Sequence, residues 1–446
     1  MNPSVEGGAV GEPSAIPSSP HYITWRQAAI IGIGSMVGAG IFSLLGAAGE
    51  VAGAAVWLSF VFAGIIAGFQ GYSFAKFGAR YPSAGGMLEY VARGFGEGHF
   101  TGVTAWMIFQ VNIIVTAMVA VSFGSYASSL FASDSHVWAK VFAGVVVVAM
   151  TGVNVAGSKT VVRAQSAIVF VVIGILVVFA VVTIANMEPS LLAPSGYPPV
   201  RDVFASVALT FFAFLGFGIV TFTAKDLREP SKQLPKAMYL ALGTATIIYV
   251  AVSLGVFGTL TVQKVIESGA TALAVAAEPT LGRAGFWLMS VTGMFATAGA
   301  TNAGLYPASG LSQHLSETGE FPPFMGWYLG GRVSIGLVLT AVGSLALAIG
   351  FGLTAIASIG SAAALLIFML ITVAHLRVRS ETGARTSVLL LGILTTGAAF
   401  LTFVFTTLVD EPASVATLVA ILAFSVLFDL WWKARREAAP PTQAEA

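Results

Sequence analysis

Cysteine does not occur in this chain of 446 residues, and charge is scarce, with Asp, Glu, Lys and Arg making up only 9%. The first absence excludes disulfides, thiol nucleophiles and thiolate metal sites. The second excludes a soluble fold of this size, because soluble domains carry about 25% charged residues. A net charge of +1 excludes a strong nucleic-acid footprint. The five histidines, His21, His99, His136, His314 and His375, group with no acids in a metal-ligand pattern. No metal, cofactor or catalytic residue is therefore expected. What is present is apolar: 57% of the residues are hydrophobic, as in an integral membrane protein.

A spanning helix needs about 20 mostly apolar residues. Runs free of Asp, Glu, Lys and Arg fall at 27–49, 51–75, 98–133, 141–158, 164–187, 203–224, 237–263, 284–316, 333–376, 386–409 and 412–428. The run 333–376 holds 44 residues, and "GFGLT" (Gly350 to Thr354) near its centre reads as a tight turn. Splitting it gives twelve helices in an all-α membrane protein. The runs are continuous rather than alternating, which favours helices over a barrel. With the N-terminus inside, seventeen of the 21 basic residues face the cytoplasm. Lys140, Arg201, Lys264 and Arg283 remain outside. Both termini are then cytoplasmic in a multi-pass cell-membrane protein. Polar tails are expected at 1–22 and 433–446. Asp429 and His375 lie near inner helix ends and read as interfacial side chains that snorkel towards water.

The first span contains "GIGSMVGAGIF", with four glycines from Gly32 to Gly40. Glycine weakens a helix interior by about 1 kcal/mol relative to alanine. One reading is close helix packing, for which Gly34 and Gly38 have the spacing. The other is a break at Gly38-Ala39-Gly40, where freed N–H groups bind an anion and freed carbonyls bind a cation. Irregular backbone at membrane depth must line a cavity or be buried in protein. A second interruption falls five helices later, where Gly216 and Gly218 divide "VALTFFAFLGFGIVTFTAKDLREP". Paired broken helices are what an inverted repeat predicts. Between the second and third spans, "SAGG" (Ser83 to Gly86) reads as a turn before a short amphipathic stretch.

From about Trp25 to Trp432 the chain resembles the amino acid–polyamine–organocation (APC) superfamily permeases. The likeness rests on "GSMVGAGIF", "YPSAGGMLEYV", "GSKTVVRAQ", "FFAFLGFGIVTFTAKDLREPSKQLPKA" and "TNAGLYPASGLSQHLSETGEFP", in family order. It implies a five-plus-five inverted repeat, with repeats at about 24–187 and 201–377, followed by two helices at about 386–432. It also implies secondary transport of an amino acid by alternating access. In such permeases the substrate carboxylate binds the first break, here Gly38, Ala39 and Gly40, with Ser35 nearby. The amine is held by carbonyls of both breaks, here Met36 and Val37 with Phe212, Ala213 and Leu215, next to Gly216. Phe212 is the expected aromatic cap over the substrate. Selectivity candidates are Gln110 and Asn112 on the third span, Thr297 on the eighth, and Ser358 and Ser361 on the tenth. For these, interhelical hydrogen bonding is an equal alternative.

Two departures bear on coupling. Relatives often carry an acid where this chain has Gly218, and proton-coupled ones a lysine near Val172. A sodium ion could instead use first-span carbonyls with Thr297 or Thr301. Proton coupling, sodium coupling, uniport and exchange all stay open. The predicted pocket has no acid or base, so a neutral, apolar amino acid is expected. An amine or polyamine carrier would need acids or an aromatic cage. A non-transporting sensor would keep the fold. An enzyme lacks a cluster, and a channel lacks a visible filter or charge array.

Overall fold

The computed structural model describes residues 22–82, 86–132, 134–156, 159–408 and 412–437. Most of both expected tails, Ser83 to Gly85, and Gly157-Ser158 of the "GSK" motif lie outside the described residues.

The first interruption divides α1 (Trp25–Ala39) from α2 (Ile41–Ala52). Thr24 and Gln27 form a capping box that fixes the start of α1. Then follow α3 (Val56–Arg80), the short amphipathic α4 (Met87–Phe95), α5 (His99–Phe131), α6 (His136–Ala156) and α7 (Lys159–Ala185). The second interruption lies between α8 (Val200–Phe212) and α9 (Gly218–Phe222). Next come α10 (Pro230–Thr259), α11 (Val262–Ser268) and α12 (Ala272–Glu317). Gly282, at φ 66°, breaks α12 near its start. A small hairpin pairs β1 (Tyr328–Leu329) with β2 (Val333–Ser334), Leu329 opposite Val333. Gly330 and Gly331 both take positive φ at its turn. The chain ends with α13 (Ile335–Gly350), α14 (Leu353–Arg377), α15 (Arg379–Thr382), α16 (Thr386–Phe403) and α17 (Pro412–Glu437).

Among the described residues, nine helical stretches are long and apolar enough to cross a membrane. The protein is therefore an all-α membrane protein. In hydrocarbon every backbone N–H and C=O must be satisfied within the protein, and helices do this along apolar runs. The run 333–376 does divide at Phe351-Gly352, between α13 and α14. At the C-terminus, α17 continues to Glu437, so Lys433, Arg435 and Arg436 are helical rather than part of a tail.

Asp429 and His375 do not snorkel. Both are fully buried. The His375 ring bonds Ser73 Oγ through Nδ1 and Thr382 Oγ1 through Nε2, each at 2.8 Å. It also packs 4.2 Å from the Phe77 ring. Neighbouring elements cover these helix ends, which leaves no route to water for the side chain to follow.

Candidate functional site

The first interruption is narrower than a three-residue break. Gly38 and Ala39 stay in α1, and only Gly40 leaves the helix, at φ −85° and ψ −77°. Its N–H still donates to Met36 O at 2.8 Å. Gly40 cannot cap α2 with a side chain, and no other side chain caps it. The second interruption tightens rather than unwinds. Phe214 N–H donates to Phe211 O and Phe217 N–H to Phe214 O, both at 2.9 Å. These are i→i−3 bonds of a 3-10 stretch between α8 and α9.

The two interruptions cross in contact. A Cβ at position 40 would stand 2.6 Å from Ala213 Cβ and 2.9 Å from the Ala213 carbonyl oxygen. A Cβ at position 216 would stand 2.6 Å from Met36 N and 2.7 Å from Ser35 Oγ. Glycine at both positions is thus required by backbone-to-backbone approach, whatever the local helix propensity. Gly38 serves a third contact, since a Cβ there would meet Ala296 O of α12 at 2.5 Å. So packing and interruption occupy the same segment, at different glycines.

Side chains from outside the two interruptions complete their hydrogen bonding. Tyr249 of α10 donates its hydroxyl to the Ala213 carbonyl at 3.0 Å. Tyr126 of α5 donates to the Phe42 carbonyl at 3.3 Å. Ser122 of α5 donates to Ser43 Oγ at 2.7 Å. Neither tyrosine was singled out in the sequence, because an aromatic in an apolar run reads as packing. The Ala213 carbonyl, at the end of α8, needs a donor, and this is the signal that could have found Tyr249; the Phe42 carbonyl lies in the first turn of α2 and gives no such signal for Tyr126.

Phe212 is buried, and its ring fills the space beside Gly360 of α14 and Ile114 of α5. Ser358 and Ser361 flank Gly360 on α14. Both are fully buried, and neither hydroxyl has a hydrogen-bond partner among the described residues. Leu215 and Gly216 are half-buried. Gln110 and Asn112 are committed elsewhere. Gln110 Nε2 donates to Ser425 Oγ of α17 at 2.7 Å, and Asn112 Nδ2 donates to Gly304 O of α12 at 2.9 Å. Thr297 and Thr301 are buried, and their hydroxyls donate one turn back, to Gly293 O and Thr297 O. Their oxygens remain acceptors.

On the other side of α1 a small cavity of about 20 Å³ opens between α1, α7 and α12. Val37, Gly38, Val172, Ala296 and Gly299 are among its walls. Val172 gives that wall a branched alkyl group and no charge. At Gly218, a Cβ would meet Met87 only at an ordinary 3.6 Å.

Two interrupted helices thus cross inside an all-helical membrane bundle, and the family that the chain matches is one of membrane transporters, not enzymes. Residues 23–428 match the amino acid permease family. The chain belongs to that family, within the APC superfamily. It is 30% identical over 367 residues to the inner membrane transport protein YbaT of Escherichia coli, covering 82% of this chain and 85% of that protein. It is 30% identical to the methylthioribose transporter of Bacillus subtilis over 53% of this chain and 54% of that one. It is 28% identical to the branched-chain amino acid permease BcaP of Bacillus subtilis, over 50% of this chain and 52% of that one.

Proposed function

We propose that the protein moves a neutral amino acid across the cytoplasmic membrane by alternating access. The frame for this is twelve spans in a five-plus-five inverted repeat, with both termini cytoplasmic. The observation that carries the reading is the crossing of the two interruptions at Gly40–Ala213 and Gly216–Met36. There the end of α1 and the start of α2 meet the end of α8.

In this reading the segment Gly38 to Gly40, where α1 gives way to α2, receives the substrate carboxylate, drawn by the positive dipole end of α2. Carbonyls of Met36, Val37, Phe212, Ala213 and Leu215 face the ammonium. Ser358 and Ser361 supply the hydroxyls that have no partner among the described residues. Phe212 closes over the bound molecule and must swing away from Gly360 to admit it. The substrate side chain is neutral, since the residues gathered at the crossing are glycine, alanine, serine, tyrosine and phenylalanine. An ionised side chain would lie there unpaired in low dielectric. Thr297 and Thr301 are the candidate ligands for a coupled sodium ion. Gln110 and Asn112 act in this reading as links between helices.

The test is uptake of radiolabelled leucine into liposomes holding the purified chain, with and without sodium and at two pH values. Uptake should saturate and be displaced by other neutral amino acids. Displacement by free amines but not by amino acids would overturn the assignment. Unimpaired uptake in Gly40→Val would remove the carboxylate site from the first interruption.

A further inference from the structure

Four ionisable side chains meet where α5, α17 and the turn after α12 come together. Asp429 of α17 is fully buried, and Glu320 of the turn is nearly so. Lys433 Nζ stands 3.1 Å from Glu320 Oε2 and 3.3 Å from Asp429 Oδ1. His99, at the start of α5, places Nδ1 2.7 Å from Asp429 Oδ2. Gly102 makes the room: a Cβ there would fall 1.8 Å from Asp429 Oδ1 and 2.7 Å from Glu320 Oε2.

Two carboxylates share one ammonium here. With a neutral imidazole the group carries one net negative charge, which is costly to keep from water. One added proton brings the net charge to zero. Glu320 Oε2, Asp429 Oδ1 and Lys433 Nζ are also buried without a hydrogen bond of proper alignment. The group thus has open valences as well as excess charge. The His99 side chain is 59% exposed, so a proton can reach the cluster from water.

We propose that this cluster is a proton-binding site, and that the bound proton holds the end of α17 and the turn 318–321 against α5. The proton belongs to the coupled group rather than to one residue. The parts it holds together are specific. Trp432 donates its indole N–H to the Gly319 carbonyl at 2.9 Å, and Arg436 reaches the same oxygen at 3.4 Å. Phe321 stacks on Trp106 of α5 with ring centroids 3.9 Å apart. Glu97, before α5, acts on Glu320, and Arg436 lies at Gly319; His314 and Glu317 are in the last turn of α12, where Glu317 takes a bond from Gln313. On α4, Glu89 and Arg93 pair with each other at 2.8 Å. Arg377 of α14 lies over the Phe95 ring. Burial raises the Glu320 carboxyl above its ordinary range, and Asp429 and Glu97 push it the same way against Lys433.

The test needs no transported substrate, so it stands or falls apart from the proposed function. The thermal midpoint of full-length protein in detergent micelles is followed from about pH 4 to about pH 8. The midpoint should fall as pH rises through the raised range of Glu320. Glu320→Gln, which removes one negative charge and with it the need for the added proton, should flatten that fall. Lys433→Met, which leaves the two carboxylates without their cation, should steepen it. Glu267→Gln, an exposed acid beside Lys264, should leave the pH profile unchanged. A pH profile in Glu320→Gln that matches the parent's overturns the proposal. If Lys433→Met does not fold, the Glu320→Gln profile decides alone.

Discussion

The crossing of the two interruptions and the C-terminal end of α17 solve opposite problems in the same apolar medium. At the crossing, backbone approaches backbone at Gly40 and Gly216, and the polar groups are carbonyls and hydroxyls. At α17, two carboxylates, an ammonium and an imidazole are gathered into one group. A fixed charge left alone in low dielectric is costly, so permanent charges appear together. Backbone dipoles and hydroxyls carry only partial charge. They can be left waiting for a ligand at lower cost. The crossing is therefore suited to a visitor, and the α17 cluster to permanent residents and at most a proton.

Substitutions at each region test that contrast. The largest effect is expected at the crossing: Gly40→Val drives a branched side chain into Ala213 and should abolish measurable leucine uptake in liposomes. Gly216→Val should do the same against Met36. Wild-type rates in either variant would mean that the close approach is dispensable.

At the other region, Lys433→Met leaves two buried carboxylates without their cation. Breaking a buried ion pair costs about 3–5 kcal/mol, and the thermal midpoint should drop accordingly. A midpoint equal to the parent's would show that the cluster contributes nothing to stability.

A smaller effect is expected from Tyr249→Phe, which leaves the Ala213 carbonyl without its phenol donor. A buried group left unsatisfied costs about 1–3 kcal/mol, measurable by thermal unfolding. Comparing leucine affinity in the same variant shows whether that carbonyl, once freed, binds substrate more tightly.

The smallest effect is on pH dependence. Burial raises the Glu320 carboxyl, so the folded protein holds a proton that the unfolded chain has lost. Its contribution is complete below the ordinary carboxylate range and is lost as pH rises through the raised value. Thermal midpoints measured across that window should fall more steeply in the parent than in Glu320→Gln.

The sequence made much of the fold legible. Charge-free runs marked the long helices, and "GFGLT" marked the division between α13 and α14. Gly38 to Gly40, and Gly216 with Gly218, were visible as weak points in otherwise bulky apolar runs; that Gly40 alone leaves the first helix, and that Gly218 already belongs to α9, was not. Their meeting was not visible, because it depends on how α1 and α8 cross. Gln110 and Asn112 looked like site residues because the resemblance puts selectivity on the third span. Their partners, Ser425 and Gly304, lie 315 and 192 positions away in the chain. Asp429 and His375 were misjudged because distance from a helix end was taken as distance from water. The turn after α12 covers the first of them, and α3 and α15 cover the second.

Sequence alone determined that the chain enters a membrane, since 9% charge cannot clothe a soluble surface of this size. It also determined where helices run, because hydrocarbon admits few other backbones. Tertiary structure alone decided which glycines pack and which one interrupts. It decided which tyrosines serve as hydrogen-bond donors, and that four ionisable residues far apart in the chain share one site. The physical reason is range: helix formation follows from each residue and its near neighbours. Contact between backbones, and the sharing of charge, require partners that only the assembled bundle brings together.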